Sequence, residues 1–507
     1  MADQAPLILA IDQGTTSSRA LAFDQHGRTV ALAQQDFEQL FPADGWVEHR
    51  PEDIWSTTLA TASAVLAECR EKALGTPVAV GITNQRETTL IWDRRTGKPI
   101  GNAIVWQDRR TAQICQELIE AGHEAVIRDR TGLVVDPYFS ATKIAWLLDN
   151  IEGARAAAEA GHLAFGTVDS YLIWQLTGGR QHLTDETNAA RTSLFNIHTG
   201  AWDQDLLALF RVPSSLLPEV RPSRSDFGLI DAELFGEALP IYAVAGDQQS
   251  AAFGQGCFDP GMTKSTYGTG CFLLVNTGTQ AVMSEHRLLT TRACRTGEDP
   301  IFALEGSIFI AGAVAQWMRD ALGIVETSPE TEAIAAAMPD NGGVYLVPAF
   351  TGLGAPHWDS SARGTVLGLT RQAGRDHIVR AGLESVAYQT SDLFGALSAD
   401  GVEIALTRVD GGMAANDWLM QFISDTCDVP LERPQNLETT ALGVALQAGL
   451  VAGVWSGLDE VRNLAGPYDG FAPNMDAETR NELLQDWHIA VETTRHHAKL
   501  KAQISRG

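Results

Sequence analysis

The chain predicts an α/β fold of two similar halves facing each other across a cleft, and three observations carry that expectation. Its 507 residues exceed what one core holds, because single hydrophobic cores stop growing at about 250–300 residues. Strand-like apolar runs alternate with a helical pattern through residues 8–84, the order that builds an α/β layer. From residue 240 the order starts again, with a second strand, a Gly-Thr-Gly turn and another strand.

The first element is the hairpin in ILAIDQGTTSSRALAFD (8–24). A strand at Ile8–Ile11 meets Asp12 and a Gly-Thr-Thr-Ser-Ser turn, and a second strand runs from Ala20 to Phe23. Residues 52–72 repeat apolar groups at Ile54, Leu59, Ala62, Val65, Leu66 and Cys69, the spacing of an amphipathic helix. VAVGITN (78–84) reads as a short buried strand entering a loop. PIYAVAGD (240–247) is an apolar strand ending in Gly246-Asp247, and QQSAAFGQG (248–256) opens a helix. TKSTYGTGCFLLVNTG (263–278) is strand, turn and strand, a degenerate echo of the opening hairpin. LTRVDGGMAANDWLMQFISD (406–425) is a strand, an Asp-Gly-Gly turn and a helix. Residues 439–458 carry no charge but hold Gln447 and four glycines, so a buried helix is expected there rather than a membrane span.

Composition narrows the partners. With 45% hydrophobic and 20% charged residues the chain is globular, and a formal net charge of −26 repels phosphate backbones and anionic lipid. Nucleic acid and membrane insertion are therefore not expected. The six cysteines, Cys69, Cys115, Cys257, Cys271, Cys294 and Cys427, are scattered without a C-x-x-C pair. Buried reduced thiols are expected, not zinc or a disulfide framework. The opening MADQAP has an acid and no basic segment, so no signal peptide is read and a cytoplasmic protein is expected.

The turns carry chemistry. A Gly/Thr/Ser hairpin aims backbone N–H groups and hydroxyls into one concavity, which suits phosphate oxygens. The sequence matches neither G-x-x-x-x-G-K-[ST] nor G-x-G-x-x-G, so the helix-based phosphate loops do not apply. Asp12, at the end of a buried strand, is a candidate ligand for Mg²⁺, directly or through water. Each turn alone reads equally as an ordinary structural turn. Three of them at strand ends, with Gly268–Gly270 and Asp410–Gly412 joining the first, favour a nucleotide held from both sides.

Long blocks run through nearly the whole chain in one order. They include DQGTTSSR (12–19), GITNQRET (81–88), NAIVWQDRRT (102–111), AGDQQSAAFGQ (245–255), STYGTGCF (265–272), PAFTGLGAPHWD (348–359) and VDGG (409–412). On these the chain resembles the FGGY carbohydrate kinases, and within that family the members that act on glycerol. The resemblance implies two actin-like (ribonuclease-H-like) domains flanking a catalytic cleft, residues 1–253 and 254–507. It implies transfer of the ATP γ-phosphoryl group to a terminal hydroxyl of glycerol, with Mg²⁺, in a homo-oligomer (dimer or tetramer). Asp247 matches the catalytic base, and Gln248 lies beside it on the substrate. Arg86, Glu87 and Tyr138 match glycerol ligands, while Trp106 and Phe272 match apolar walls. Thr15, Thr16, Ser17 and Arg19 match the first phosphate turn and Thr269 the second. Gly312, Gln316, Gly412 and Asn416 match the adenosine side.

These residue types suit the work. A carboxylate accepts the proton of an attacking hydroxyl, and an Arg–Glu pair offers a small triol both donors and an acceptor. Without the family, the residues keep other readings. Gly246-Asp247 looks like a helix cap, Arg86-Glu87 like solvated loop charges, Trp106 like core and Tyr138 like a turn residue. Rival functions are a kinase for another polyol or ketose, and an actin-like or chaperone-type ATPase; TNQRET and DPYFS favour glycerol.

The match departs from the family in three places. Some enterobacterial members bind fructose 1,6-bisphosphate through a loop carrying an arginine, whereas DAELFGEALP (231–240) has none and carries three acids. No histidine lies between Arg221 and Gly246, where some Gram-positive members are phosphorylated. Gly382 stands where a larger residue is usual, a change expected to affect packing only. The basic tail RHHAKLKAQISR (495–506) is expected to be a solvated helix end.

Overall fold

The computed structural model describes residues 5–359 and 361–504, so the first residues of MADQAP and the last of the basic tail lie outside the described residues. The first sheet contains β1 (Leu7–Gln13), β2 (Ser17–Phe23), β3 (Thr29–Asp36), β4 (Pro77–Asn84) and β5 (Ile241–Gly246) in the order β5-β4-β1-β2-β3. Strands β1, β2 and β3 pair antiparallel, while β4 pairs parallel with both β1 and β5. Side chains alternate across the sheet, as a period of two requires. Leu7, Leu9 and Ile11 meet Ile54, Val65 and Leu66 of helix α1 (Pro51–Glu71) on one face. Pro51 at the first turn of α1, with Glu52 and Asp53 beside it, fits the helix start and its dipole. Helix α2 (Asp247–Gly254) leaves β5 directly.

The second sheet repeats this plan. It contains β6 (Met262–Tyr267), β7 (Cys271–Gly278), β8 (Leu289–Ala293), β9 (Ile301–Ile308), β10 (Leu406–Asp410), β11 (Leu431–Pro434) and β12 (Tyr468–Phe471), in the order β8-β9-β7-β6-β10-β11-β12. Its inner run β9-β7-β6-β10-β11 has two antiparallel pairings followed by two parallel ones, the same series as β3-β2-β1-β4-β5. The degenerate sequence echo is therefore a repeat of topology, with β8 and β12 added at the edges. Helices α3 (Gly312–Asp320), α4 (Glu330–Ala337), α5 (Arg375–Ala399) and α6 (Asp417–Cys427) belong to this half. The chain ends through α7 (Thr439–Val451) and α8 (Ala477–Ile504).

The structure corrects several sequence expectations. The first turn is only Gly14–Thr16, and Ser17 and Ser18 already belong to β2. Ser18 is buried and shares a 2.8 Å hydrogen bond with Thr57 of α1, so it faces the core and not the cleft. The uncharged run from 439 is helical only to Val451. Gly453, at φ 75°, turns the chain, and Trp455 then tucks in with its Nε1 donating to the Gln25 carbonyl at 3.0 Å. Five cysteines are buried free thiols, whereas Cys427 is half-buried. In the tail, Ala498 is buried and Arg495 half-buried, while the other residues whose exposure is described are exposed. Gly382 leaves room for a thioether: a Cβ there would sit 3.0 Å from Met318 Cε. Among the described residues, no helix is long and apolar enough to cross a membrane.

Helix α7 does not lie on its own half. Ala441, Leu442, Val444 and Ala445 cover Ile8, Ala10, Leu21 and Phe23 on the second face of the first sheet. There α7 crosses α2 backbone to backbone: a Cβ on Gly443 would overlap the Ser250 carbonyl, and one on Gly254 the Thr439 carbonyl.

Candidate active site

Every residue singled out on sequence grounds lies at or just beyond a strand end, or on the loops and helices facing those ends, where α/β sheets hold their ligands. Asp12 is the penultimate residue of β1, and Arg19 opposite it on β2 approaches to 3.2 Å while also pairing with Glu438. Burial pushes the Asp12 carboxyl up to about 6. Arg19 opposes the shift, and the negative charges of Asp247 and Glu438 add to it.

Arg86 and Glu87 follow β4. The solvated-charge reading fails, because they are 3% and 1% exposed. Glu87 takes φ 60°, a left-handed conformation uncommon for a residue with a side chain. Its carbonyl accepts from Ser140 Oγ at 3.0 Å, Thr89 Oγ1 at 3.1 Å and Lys143 Nζ at 3.5 Å, which hold the kink in place. Lys143 also donates to the Tyr138 carbonyl at 2.7 Å, and burial lowers its ammonium to about 8. Arg86 Nε lies 3.2 Å from Asp247 Oδ1.

Asp247 is the first residue of α2. The cap position itself is Gly246, and Asp247 Oδ1 accepts from the N–H of its immediate neighbour Gln248 at 2.7 Å, not from a residue two or three places on as a cap would. The helix-cap reading is thereby replaced. With its side chain 33% exposed, Asp247 is open to the cleft while Arg86 beside it is sealed. Gln248 Oε1 accepts a 2.5 Å bond from Lys264 of β6. Lys264 is buried, and that burial lowers its ammonium although Asp410 and Asp247 pull it back up.

Three aromatics stand beside the Arg86–Glu87 pair, whose charges reach the Tyr138 hydroxyl, and the ground between them and the partly open Asp247 is the hollow of this site. Trp106 meets Tyr138 and Phe272 edge-on, with ring centroids 5.6 and 6.2 Å apart. All three are half-buried, so Trp106 lines a surface and is not core. Its Nε1 donates to Thr15 Oγ1 at 3.0 Å, tying the hollow to the first hairpin turn. Burial pushes the Tyr138 hydroxyl far above its usual range, leaving it a neutral donor and acceptor.

The remaining candidates gather elsewhere. Thr269, Gly312, Gln316, Gly412 and Asn416 line one cavity of about 380 Å³ in the second half. Backbone bonds pin its mouth, with the Ala311 and Ala313 N–H groups donating to the Thr269 carbonyl at 2.9 and 3.0 Å. Asn416 also caps α6 through a 2.8 Å bond from Leu419 N–H. Thr16 is exposed at the tip of the first turn, and Ser17 half-buried beside it. Asp410 ties three segments together: its carboxylate accepts from Thr266, from Gln255 Nε2 at 2.6 Å and from Thr439 Oγ1 at 2.6 Å.

Sequence reasoning missed the charges behind this arrangement. Glu305 accepts a fork from Arg86, and Arg191 Nε donates to Glu87 Oε1 at 2.6 Å. Glu305 and Lys264 are each the single charge in a strand, IFALEGSI and MTKSTY, and that isolation was the available signal. Arg191 and Glu438 lie in polar loops that carry no such mark.

Comparison with known proteins accounts for both halves. The N-terminal domain of the FGGY family of carbohydrate kinases matches residues 7–254, and the C-terminal domain of that family matches residues 263–452. A glycerol kinase of Rhodospirillum centenum is 59% identical over 495 residues, spanning 98% of this chain and 99% of that protein. Glycerol kinase 1 of Pseudomonas aeruginosa is 55% identical, spanning 97% of this chain and 99% of that protein. Among solved structures, Plasmodium falciparum glycerol kinase with ADP has a TM-score of 0.92 at 38% identity, covering 97% of this chain and 98% of that one. A gluconate kinase of Lactobacillus acidophilus, at 22% identity and TM-score 0.88, shares the fold over 97% of this chain and 98% of its own. Two sheets of one repeated topology, set around a cleft in the actin-like manner and both matched in sequence, make the conclusion direct: the chain belongs to the FGGY family of carbohydrate kinases.

Proposed function

We infer that the chain transfers the γ-phosphoryl group of ATP to a terminal hydroxyl of glycerol, giving ADP and sn-glycerol 3-phosphate. The observation that carries this reading is the hollow beside Asp247. A sealed Arg86–Glu87 pair meets three half-buried aromatics there, a lining suited to a short polyol with polar edges and an apolar carbon backbone. The relatives named glycerol kinase support the same acceptor.

Phosphoryl transfer asks a protein mainly for positioning and electrostatics. In the proposed division, residues 1–253 supply the acceptor site and first phosphate turn, and residues 254–507 the adenosine side. Arg86, Glu87, Tyr138 and Gln248 hold the hydroxyls, while Trp106 and Phe272 hold the carbons. Asp247 accepts the proton of the attacking hydroxyl. Thr15, Thr16, Ser17 and Arg19 receive phosphate oxygens from one side and Thr269 from the other. Gly312, Gln316, Gly412 and Asn416 receive the nucleoside. Closing the halves excludes water and limits wasted hydrolysis.

The residues fit Mg²⁺. A carboxylate raised to about 6 by burial and by Asp247 and Glu438 gains from a nearby cation, and Mg²⁺ is held by one or two carboxylates plus substrate phosphates. Asp12 would hold the ion, which would neutralise phosphate charge. A protonated Asp12 cannot do so, and protonation rises as pH falls through 6. Calorimetry should therefore find that affinity for ADP with Mg²⁺ weakens below pH 6, by up to about tenfold per unit, and that Asp12→Asn flattens this slope.

Steady-state turnover of purified chain with ATP and a panel of polyols and ketoses tests the reading. Glycerol should give the highest kcat/KM. A ketose winning would move the chain to another branch of the family, and equal ATP turnover without any acceptor would favour a chaperone-type ATPase. Gly312→Ala puts a Cβ 2.5 Å from the Gly268 carbonyl, which shifts the second turn. It should weaken ADP binding by roughly 10- to 100-fold in the same calorimeter.

The segment 231–240 keeps its acids, and the basic side chains near it are engaged: Arg180 lies 3.0 Å from Asp231 and Arg70 3.6 Å from Glu237. Fructose 1,6-bisphosphate should therefore inhibit weakly or not at all, and strong inhibition at low ligand would refute that. The proposal also includes a cytoplasmic homo-oligomer, dimer or tetramer, as the family resemblance implies; light scattering of the purified chain reads the assembly.

A further inference from the structure

We propose that Glu305 is a positioning residue for phosphoryl transfer, reaching from the second sheet to hold both Nη atoms of Arg86 so that only its Nε faces Asp247. The proposal rests on the acceptor reading above and deepens it by naming what holds the acceptor site in shape.

Glu305 is rigidly mounted. It lies in the middle of β9, register-paired with Leu274 of β7 on one side and Leu289 of β8 on the other. Both oxygens are used as a fork, with Oε2 2.6 Å from Arg86 Nη1 and Oε1 3.0 Å from Arg86 Nη2. Paired N–H···O bonds of this kind fix the plane of a guanidinium as well as its position. Oε1 also accepts from Arg191 Nη2 at 3.0 Å, and burial notwithstanding, the Arg191 and Arg86 charges hold the Glu305 carboxyl down at about 2. Arg86 Nη1 has one further partner, Gln249 Oε1 at 3.2 Å, and its Nε faces Asp247.

Three carboxylates surround this arginine. Without Glu305, the carboxylates left near it are Asp247, at 3.2 Å, and Glu87, with Oε1 3.9 Å from Nε. A guanidinium turned fully onto Asp247 would occupy the carboxylate oxygens that should receive the proton of the attacking hydroxyl. The same turn removes donors from the hollow where the polyol lies. Arg86 and Arg191 balance Glu87 and Glu305 in charge, and all four side chains are buried. A buried charge lost from such a set also destabilises the fold, so the test must separate geometry from charge balance.

Two variants of the full chain do this. Glu305→Asp keeps the charge and shortens the reach; Glu305→Gln keeps the reach and removes the charge. Wild-type turnover on glycerol is measured first, and its absence would defeat the acceptor reading itself. With wild type active, both variants should bind ADP within about twofold of wild type while KM for glycerol rises roughly 10- to 100-fold and KM for ATP stays level. An unchanged glycerol KM in both variants would overturn the proposal. So would equal loss of ADP and glycerol binding in both variants, which would reduce Glu305 to a core charge.

Discussion

Asp247→Asn is expected to slow glycerol phosphorylation on the order of 10⁴-fold while leaving ADP affinity within about twofold. The substitution keeps shape and removes only the ability to take a proton. An amide oxygen still accepts from Gln248 N–H, now 2.7 Å from Oδ1, and still offers Arg86 Nε an acceptor at the present 3.2 Å. Arg86 remains anchored by Glu305, so the hollow keeps its shape and KM for glycerol should change little. The loss therefore belongs to kcat. Steady-state kinetics with titration calorimetry on the same preparation separates the two, and near-normal turnover would remove Asp247 from the role of base.

Gly443→Ala should be strongly destabilising for a single added methyl group. The added Cβ would overlap the Ser250 carbonyl, and the adjacent crossing point, Gly254 against the Thr439 carbonyl, has no slack either. Backbone meets backbone at both points, so no side chain can rotate away. Separating α2 from α7 should cost about 3 kcal/mol in denaturant unfolding. It should also lower kcat, because Asp247 begins the helix that is pushed. Gly395→Ala supplies the contrast. It lies on an exposed face of α5 with nothing within 4 Å of its would-be Cβ, and should be neutral or stabilising by about 0.5–1 kcal/mol. If both variants unfold alike, the backbone crossing is not what the stability depends on.

The hairpins, the strand ends and the repeat were legible because each is written locally. Asp12 and Gly14 mark the first turn, Gly268 and Gly270 the second, and alternating apolar residues mark the strands between. The partners of the site residues were not legible, since they meet across long separations. Arg86 and Glu305 stand 219 positions apart, and a lone acid in IFALEGSI reads as unusual without saying which arginine it faces. Ser18 shows the limit within one motif. It resembles its neighbours in the hydroxyl-rich turn, yet the pleat of β2 sends it to Thr57 and the core. For residues 439–458, lack of charge told of burial but not of which sheet is covered, nor that Gly453 would end the helix early.

Because a late helix seals an early sheet, synthesis from the ribosome leaves Ile8, Ala10, Leu21 and Phe23 without their cover until Ala441–Ala445 have emerged. The nascent chain must carry a bare apolar face through most of its translation, an invitation to aggregation or chaperone capture. Expression of residues 1–253 alone should accordingly give insoluble protein, rescued when a separate chain carrying 254–507 is made beside it.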